Sequence, residues 1–217
     1  MSPRFAIIEA AQRTPEWVAA RAGRLTGSRA HCVLTKPKKG ADESVMRRDY
    51  RLQLVSERIT GQAQESFFWS DDMQRGVDLE PVAFAMYEAQ YGHMVRKTGF
   101  LQHTEYMAGC SLDGDINEFS GIIELKCPKM ATHLTYLKKP NTLYDDYAAQ
   151  VRHNLWITGA AWCDLISFDD RLPKPIQMMR LRCERYDVDV PGYQIEALKF
   201  LSEVENEYQQ IMDGVYV

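Results

Sequence analysis

The sequence lacks the features that would carry a chain out of the cytosol. No apolar run in its 217 residues approaches the roughly 20 residues of a membrane span, so no membrane partner is expected. The opening segment, MSPRFAIIEAAQRTPEW, holds one short apolar patch soon followed by Glu9, a poor match to a secretory signal. Cysteine is sparse and odd in number: Cys32, Cys110, Cys127, Cys163 and Cys183. They form no CxxC pair and no Cys/His zinc spacing. That excludes a disulfide framework and a zinc module, and leaves reduced thiols in a cytoplasmic protein. A basic excess is missing too. Lys and Arg number 26 against 30 Asp and Glu, a net charge of −4, which excludes attachment to nucleic acid by general positive charge. DNA contact would need local basic patches, with an acidic cluster reserved for cations. No repeat, low-complexity tract or linker divides the chain, so residues 1–217 are expected to form one domain.

What is present is an ordered series of helix and strand signals. Thr14-Pro15-Glu16 supplies a capping hydroxyl, a proline at the first helical position and a carboxylate in the first turn. It predicts a helix running to Gly23. Leu25-Thr26-Gly27-Ser28 reads as a turn into a short helix ending near Leu34. Longer helices are expected over Glu43–Thr60 and Asp71–Tyr91. The period then changes to that of strands over Val95–Gln102, Tyr106–Leu112 and Ile122–Cys127. Helices follow over Met130–Lys138 and Tyr144–Thr158, strands over Ala161–Phe168 and Ile176–Arg185, and a last amphipathic helix over Pro191–Asp213. This order predicts an α/β protein with a central mixed β-sheet flanked by helices.

One stretch, GCSLDGDINEFSGIIELKCPK at residues 109–129, breaks the usual rule that a buried strand avoids charge. Asp113 ends one strand and Glu124 lies in the next. If the two strands are neighbours, both carboxylates reach one end of the sheet. With a backbone carbonyl and waters they make a hard-cation site suited to Mg²⁺. Glu124 and Lys126 share a face because side chains alternate along a strand. The Lys126 ammonium then sits where it can orient an attacking water. The same spacing also describes an ordinary Glu/Lys ion pair on a half-exposed strand, with Asp-Gly-Asp a mere hairpin and Asp115 a turn residue.

The surrounding residues carry a resemblance. SLDGDI followed by GIIELKCPK resembles the signature of the PD-(D/E)xK nuclease superfamily, most closely the phage lambda-type exonucleases, or YqaJ-like viral recombinases. ARAGRLTGSRA (residues 20–30), RGVDLEPVA (75–83) and YAAQVRHNLWITG (147–159) resemble further family segments, in the family's order. The resemblance implies a restriction-endonuclease-like core. It implies that Asp113, Glu124 and the backbone carbonyl of Leu125 ligate metal, that Glu80 completes the acidic cluster, and that Lys126 positions the nucleophilic water. It implies Mg²⁺, or Mn²⁺ in its place, with two ions per site. It also implies a 5′-phosphate pocket of Arg21, Ser28, Ser111 and Gln150, whose donors suit phosphate oxygens. The expected activity is 5′→3′ digestion of double-stranded DNA from 5′-phosphorylated ends, leaving a 3′ overhang. The expected partners are DNA ends, two further copies in a homotrimeric ring, and a single-strand annealing protein of the same phage or prophage in a bacterial host. An endonuclease on the same core, or a catalytically inactive DNA-binding module, would share much of this pattern.

Outside these segments, Lys36, Lys38 and Lys39 form a basic loop suited to DNA phosphates. Met73, downstream of Phe67-Phe68-Trp69, is a candidate wedge against end bases. Arg152 and His153 stand as candidate additional DNA contacts.

Overall fold

The computed structural model describes residues 4–64 and 70–214; Phe67, Phe68 and Trp69 lie outside them. The local signals set the helix ends. Thr14 accepts a hydrogen bond from the Trp17 amide and Pro15 opens α1 (Pro15–Arg21). Gly27–Arg29 form one 3₁₀ turn leading into α2 (Ala30–Val33). Ser44 and Ser70 cap α3 (Val45–Thr60) and α4 (Asp71–Tyr91), and Gly61 and Gly92 end them with φ of 68° and 71°. Pro81 lies inside α4 and cannot donate to the carbonyl of Val77.

The strands form two four-stranded sheets rather than one. The first contains β1 (Phe5–Ile8), β2 (Leu25–Thr26), β3 (Phe100–His103) and β4 (Ala108–Ser111), in the order β1-β3-β4-β2. The second contains β5 (Gly114–Ile116), β6 (Gly121–Lys126), β7 (Trp162–Phe168) and β8 (Met178–Glu184) in sequence order. Both are mixed, with β2–β4 and β6–β7 parallel and the other pairs antiparallel. The mixed α/β class is therefore as expected, but the expected pairing is not. The strand before Asp113 belongs to the first sheet, and the neighbour of β6 is β5. The chain crosses between sheets at Leu112-Asp113.

Asp115 is likewise not a turn residue. It lies in β5, fully buried, accepting from Arg96 Nε at 2.6 Å and from the Phe119 amide at 2.6 Å. The turn falls later, at Asn117-Glu118-Phe119, all left-handed with φ of 46°, 53° and 66°. Three such non-glycine residues in a row are strained, and the charged acceptor on Phe119 N–H is what stabilises them.

Between β6 and β7 the chain forms α5 (Met130–Lys138) and α6 (Pro140–Thr158); α7 (Val190–Met212) closes the fold. Helix α6 starts a turn earlier than Tyr144 because Pro140 takes its first position and forces Lys139 out of the helical region, φ −136° and ψ 78°. The strict alternation of β6 sorts its side chains between two cores. Ile122 packs with Leu155, Trp156 and Phe200 in the larger one. Ile123 and Leu125 pack with Leu79, Phe84 and Tyr87 of α4 in the smaller one. Glu124 and Lys126 thus point with Ile122, towards α6.

His153 contradicts its expected role as a DNA contact. Its side chain is fully buried, with Nε2–H donating to the Gly109 carbonyl at 2.9 Å and Nδ1 accepting from the Tyr193 hydroxyl at 2.8 Å. Arg152 points elsewhere on the helix, donating to the Tyr144 hydroxyl. Burial pushes the His153 pKa down to about 4, against the pull of the Gly109 carbonyl. Above the unfolded value near 6.5 the ring is neutral in both states and costs nothing. Between about 6.5 and 4 only the unfolded chain takes the proton, so stability falls as pH falls, by about 3 kcal/mol at the lower end. Denaturant titrations of wild type and His153→Asn from pH 7 to 4 should converge by that amount. Parallel pH dependences would contradict the buried neutral ring.

Candidate active site

The site lies where the chain passes from the first sheet to the second. In the β5–β6 ladder Gly114 faces Ile123 and Asp115 faces Ile122. One residue further along that register, Asp113 comes opposite Glu124, and its Oδ2 accepts the Leu125 amide at 2.7 Å. The two carboxylates are brought together through β5, not through the strand that precedes Asp113.

Glu124 is 2 % exposed and accepts from three side-chain donors. Its Oε1 accepts from Lys126 Nζ at 2.6 Å and from Gln150 Nε2 at 2.6 Å, and its Oε2 accepts from Asn154 Nδ2 at 2.9 Å. Lys126 Nζ also donates to Gln150 Oε1 at 3.2 Å and lies 4.5 Å from the centre of the Tyr147 ring. Burial alone would lower the Lys126 ammonium, but the charges of Glu124 and Asp113 outweigh it and hold the group above the ordinary lysine value. Desolvation, then the Glu124 charge, push Asp113 up to about 8. A cation placed there would compete with a proton.

Asp113 and Lys126 border a cleft of about 490 Å³ whose walls also include Arg13, Met73, Glu80 and Tyr147, with Glu124 directly behind Lys126. Met73, 55 % exposed on the first turn of α4, stands at this cleft. Glu80 borders it but pairs with Lys97 at 2.9 Å. Among the described residues no three His, Cys, Asp or Glu side chains converge on one point that would hold a metal ion. The donors that do meet are hard oxygens. Cys127, the one thiol on the cleft, is pushed up to about 11 by burial and stays protonated. Two carboxylates with a strand-end carbonyl suit an Mg²⁺-like ion and not a soft one. Asp113, Glu124 and the Leu125 carbonyl are the residues that would hold it, with Glu80 held apart by Lys97.

The four phosphate-pocket candidates divide. Trp17 Nε1 donates to Ser111 Oγ at 2.8 Å, and the Arg21 guanidinium lies 4.1 Å from the centre of the Trp17 ring. Arg21 is thus linked through Trp17 to Ser111, which stands two residues before Asp113. Strand β2 runs parallel to β4, with Thr26 opposite Gly109, so the exposed Ser28 leaves it towards the Ser111 end. Gln150 instead lies on Glu124 and Lys126. The basic loop of Lys36, Lys38 and Lys39 is exposed. Lys36 borders a separate cleft of about 720 Å³ whose arginines are spent on Glu43, Glu203 and Glu207.

Sequence reasoning missed Arg13, Tyr147 and Asn154. Arg13 sits at the cleft in a left-handed conformation, φ 75°, which no local motif announces. Tyr147, Gln150 and Asn154 recur at helical spacing on one face of α6, and that stripe was there to be read.

Residues 16–161 match the YqaJ-like viral recombinase domain. Two crystal structures of an alkaline exonuclease, LHK-Exo, from Laribacter hongkongensis resemble the fold. One, in complex with dAMP, aligns with TM-score 0.79 and 35% identity over 93% of this chain and 97% of that one. The other aligns with TM-score 0.78 and 34% identity over the same shares. A phage-related exonuclease from Haemophilus somnus 129PT, 13% identical, shares the fold with TM-score 0.69 over 89% of this chain and 96% of that one. No curated protein matches the chain.

Proposed function

The chain belongs to the YqaJ-like viral recombinase family, and on that premise we propose that it is a metal-dependent exonuclease degrading linear double-stranded DNA in the 5′→3′ direction from 5′-phosphorylated ends. The observation that carries this reading is the pairing of the buried Glu124 with Lys126 and with Asp113 opposite, at the edge of an open cleft. A binding module would gain nothing from acids clustered against phosphates. Mg²⁺, or Mn²⁺, when bound would neutralise charge on the reacting phosphate and lower the pKa of a bound water. Asp113, Glu124 and the Leu125 carbonyl would hold that ion, and Glu80, once released from Lys97, would supply a further oxygen for a second one. Lys126 presents an ammonium beside the reacting centre and orients the attacking water, while Gln150 keeps Lys126 and Glu124 in register. A relative sharing 35% of its residues binds dAMP, the class of mononucleotide that stepwise digestion releases.

Arg21 and Ser111, joined by Trp17, with Ser28 beside them, would take the terminal 5′-phosphate and fix polarity. Lys36, Lys38 and Lys39 would follow the backbone, and Met73 would press on the end bases. An acidic chain with so small a basic loop holds DNA better by enclosure, so a cytoplasmic homotrimeric ring is the assembly proposed. The 3′ overhang would pass to a single-strand annealing protein. The test is digestion of linear duplexes differing only in 5′-phosphate, and of a covalently closed circle, with and without Mg²⁺. Degradation of the phosphorylated linear duplex alone, only with Mg²⁺, is expected. Cutting of the circle would overturn the exonuclease assignment in favour of an endonuclease.

A further inference from the structure

Asn154 is the member of the site whose placement the chemistry above leaves unused. It is 1 % exposed, one helical turn beyond Gln150. Its two polar atoms are treated very differently. Nδ2 donates to Glu124 Oε2 at 2.9 Å. Oδ1 has no hydrogen-bond partner among the described residues. It is pressed against the 3₁₀ turn after β2, where a β-carbon on Gly27 would lie 2.4 Å from it. A buried acceptor without a partner is costly, and an asparagine serving only the fold would satisfy both ends. Turning the amide over would bring Oδ1 against a carboxylate that already holds Lys126, which is repulsive. The amide therefore keeps its N–H on Glu124 and leaves the oxygen unmet.

The donor count on Glu124 says what this arrangement selects. Oε1 already accepts from Lys126 and Gln150, filling both of its lone-pair directions. Oε2 accepts from Asn154 alone and retains one open direction. We propose that Asn154 is a positioning residue that locks the Glu124 carboxylate so that Oε2 is the oxygen offered to a divalent cation, with Gly27 providing the room that keeps the amide in place. This rests on the reading of Glu124 as a metal ligand.

The test reads metal binding without DNA or turnover, by electron paramagnetic resonance of Mn²⁺ titrated into the purified full chain. Asn154→Leu keeps the branched shape in a larger side chain and lacks the donor; Asn154→Ala is the second variant in case Leu does not fold. Both are expected to weaken Mn²⁺ binding by about 10-fold or more, the usual scale for removing a partner of a metal-ligating carboxylate. Their melting temperatures in chelator report the fold separately: the unmet oxygen goes, but Glu124 Oε2 loses its donor, so a small fall is expected without loss of the folded state. Gly27→Ala, by pushing the amide aside, should weaken Mn²⁺ in the same direction. The Glu124→Gln protein separates the two layers. Unchanged Mn²⁺ binding in Glu124→Gln would overturn the metal-site reading itself. Loss there, with wild-type affinity in the folded Asn154 variants, overturns this inference alone. Should both Asn154 variants misfold, wild-type affinity in Gly27→Ala does the same.

Discussion

Replacing Glu124 by Gln should cost about three orders of magnitude or more in DNA hydrolysis while duplex binding persists. The carboxylate is the acceptor for Lys126, Gln150 and Asn154 at once. A carboxamide presents an N–H₂ group to donors, so at least one of these contacts becomes a donor–donor clash. It also removes the negative charge that would hold a cation, and cation stabilisation of a phosphoryl displacement is worth several kcal/mol, each 1.36 kcal/mol being tenfold in rate. Asp113→Asn should behave alike for the charge, and it keeps an acceptor for the Leu125 amide. Lys126→Ala should differ in kind. The two amide donors still hold Glu124, so Mn²⁺ binding should remain largely intact while turnover collapses. Rates on a phosphorylated linear duplex, filter binding to the same DNA, and Mn²⁺ titration separate the three. Near-normal turnover of Lys126→Ala at saturating Mg²⁺ would remove the lysine from the chemistry.

Much of this site was legible because it depends on short-range periodicity. Alternation puts Glu124 and Lys126 on one face whatever the sheet does, and Thr14-Pro15 starts α1 by capping alone. What was hidden depends on pairings between distant segments. Strand β5 is three residues long, too short for a period, and its Asp115 looks like turn chemistry until Arg96 is seen to pair with it. Without β5, Asp113 was assigned to a strand adjoining β6, although its true neighbour is the next one along. Strands β1 and β2, four and two residues long, were missed for the same reason: each is completed only by a distant partner. His153 was misjudged because a polar residue on a helix gives no sign that Gly109 and Tyr193 will satisfy both its nitrogens.

The pocket assignments make the other large prediction. The guanidinium of Arg21 lies over Trp17, and Trp17 in turn fixes Ser111, two residues before Asp113. The stack holds the planar fork in one orientation, so less freedom is lost when it meets phosphate oxygens. Removing a charge-assisted contact of this kind should cost roughly 1.5–3 kcal/mol, about one to two orders of magnitude in rate on 5′-phosphorylated DNA. On 5′-hydroxyl ends the same substitution should matter far less, because there is no terminal phosphate to bind. Arg21 is only 8 % exposed, so Arg21→Ala also disturbs packing, and that loss should fall on both kinds of end equally. The informative quantity is therefore the ratio of rates on phosphorylated and hydroxyl ends, in which any folding defect cancels. Arg21→Lys keeps the charge but neither the fork nor the stack, and should recover only part of the ratio. Trp17→Phe keeps an aromatic face and loses the indole N–H to Ser111, and should lower the ratio by less than Arg21→Ala. If Arg21→Ala slows both substrates by the same factor, Arg21 serves the fold or general DNA affinity, and the 5′-phosphate must be bound elsewhere.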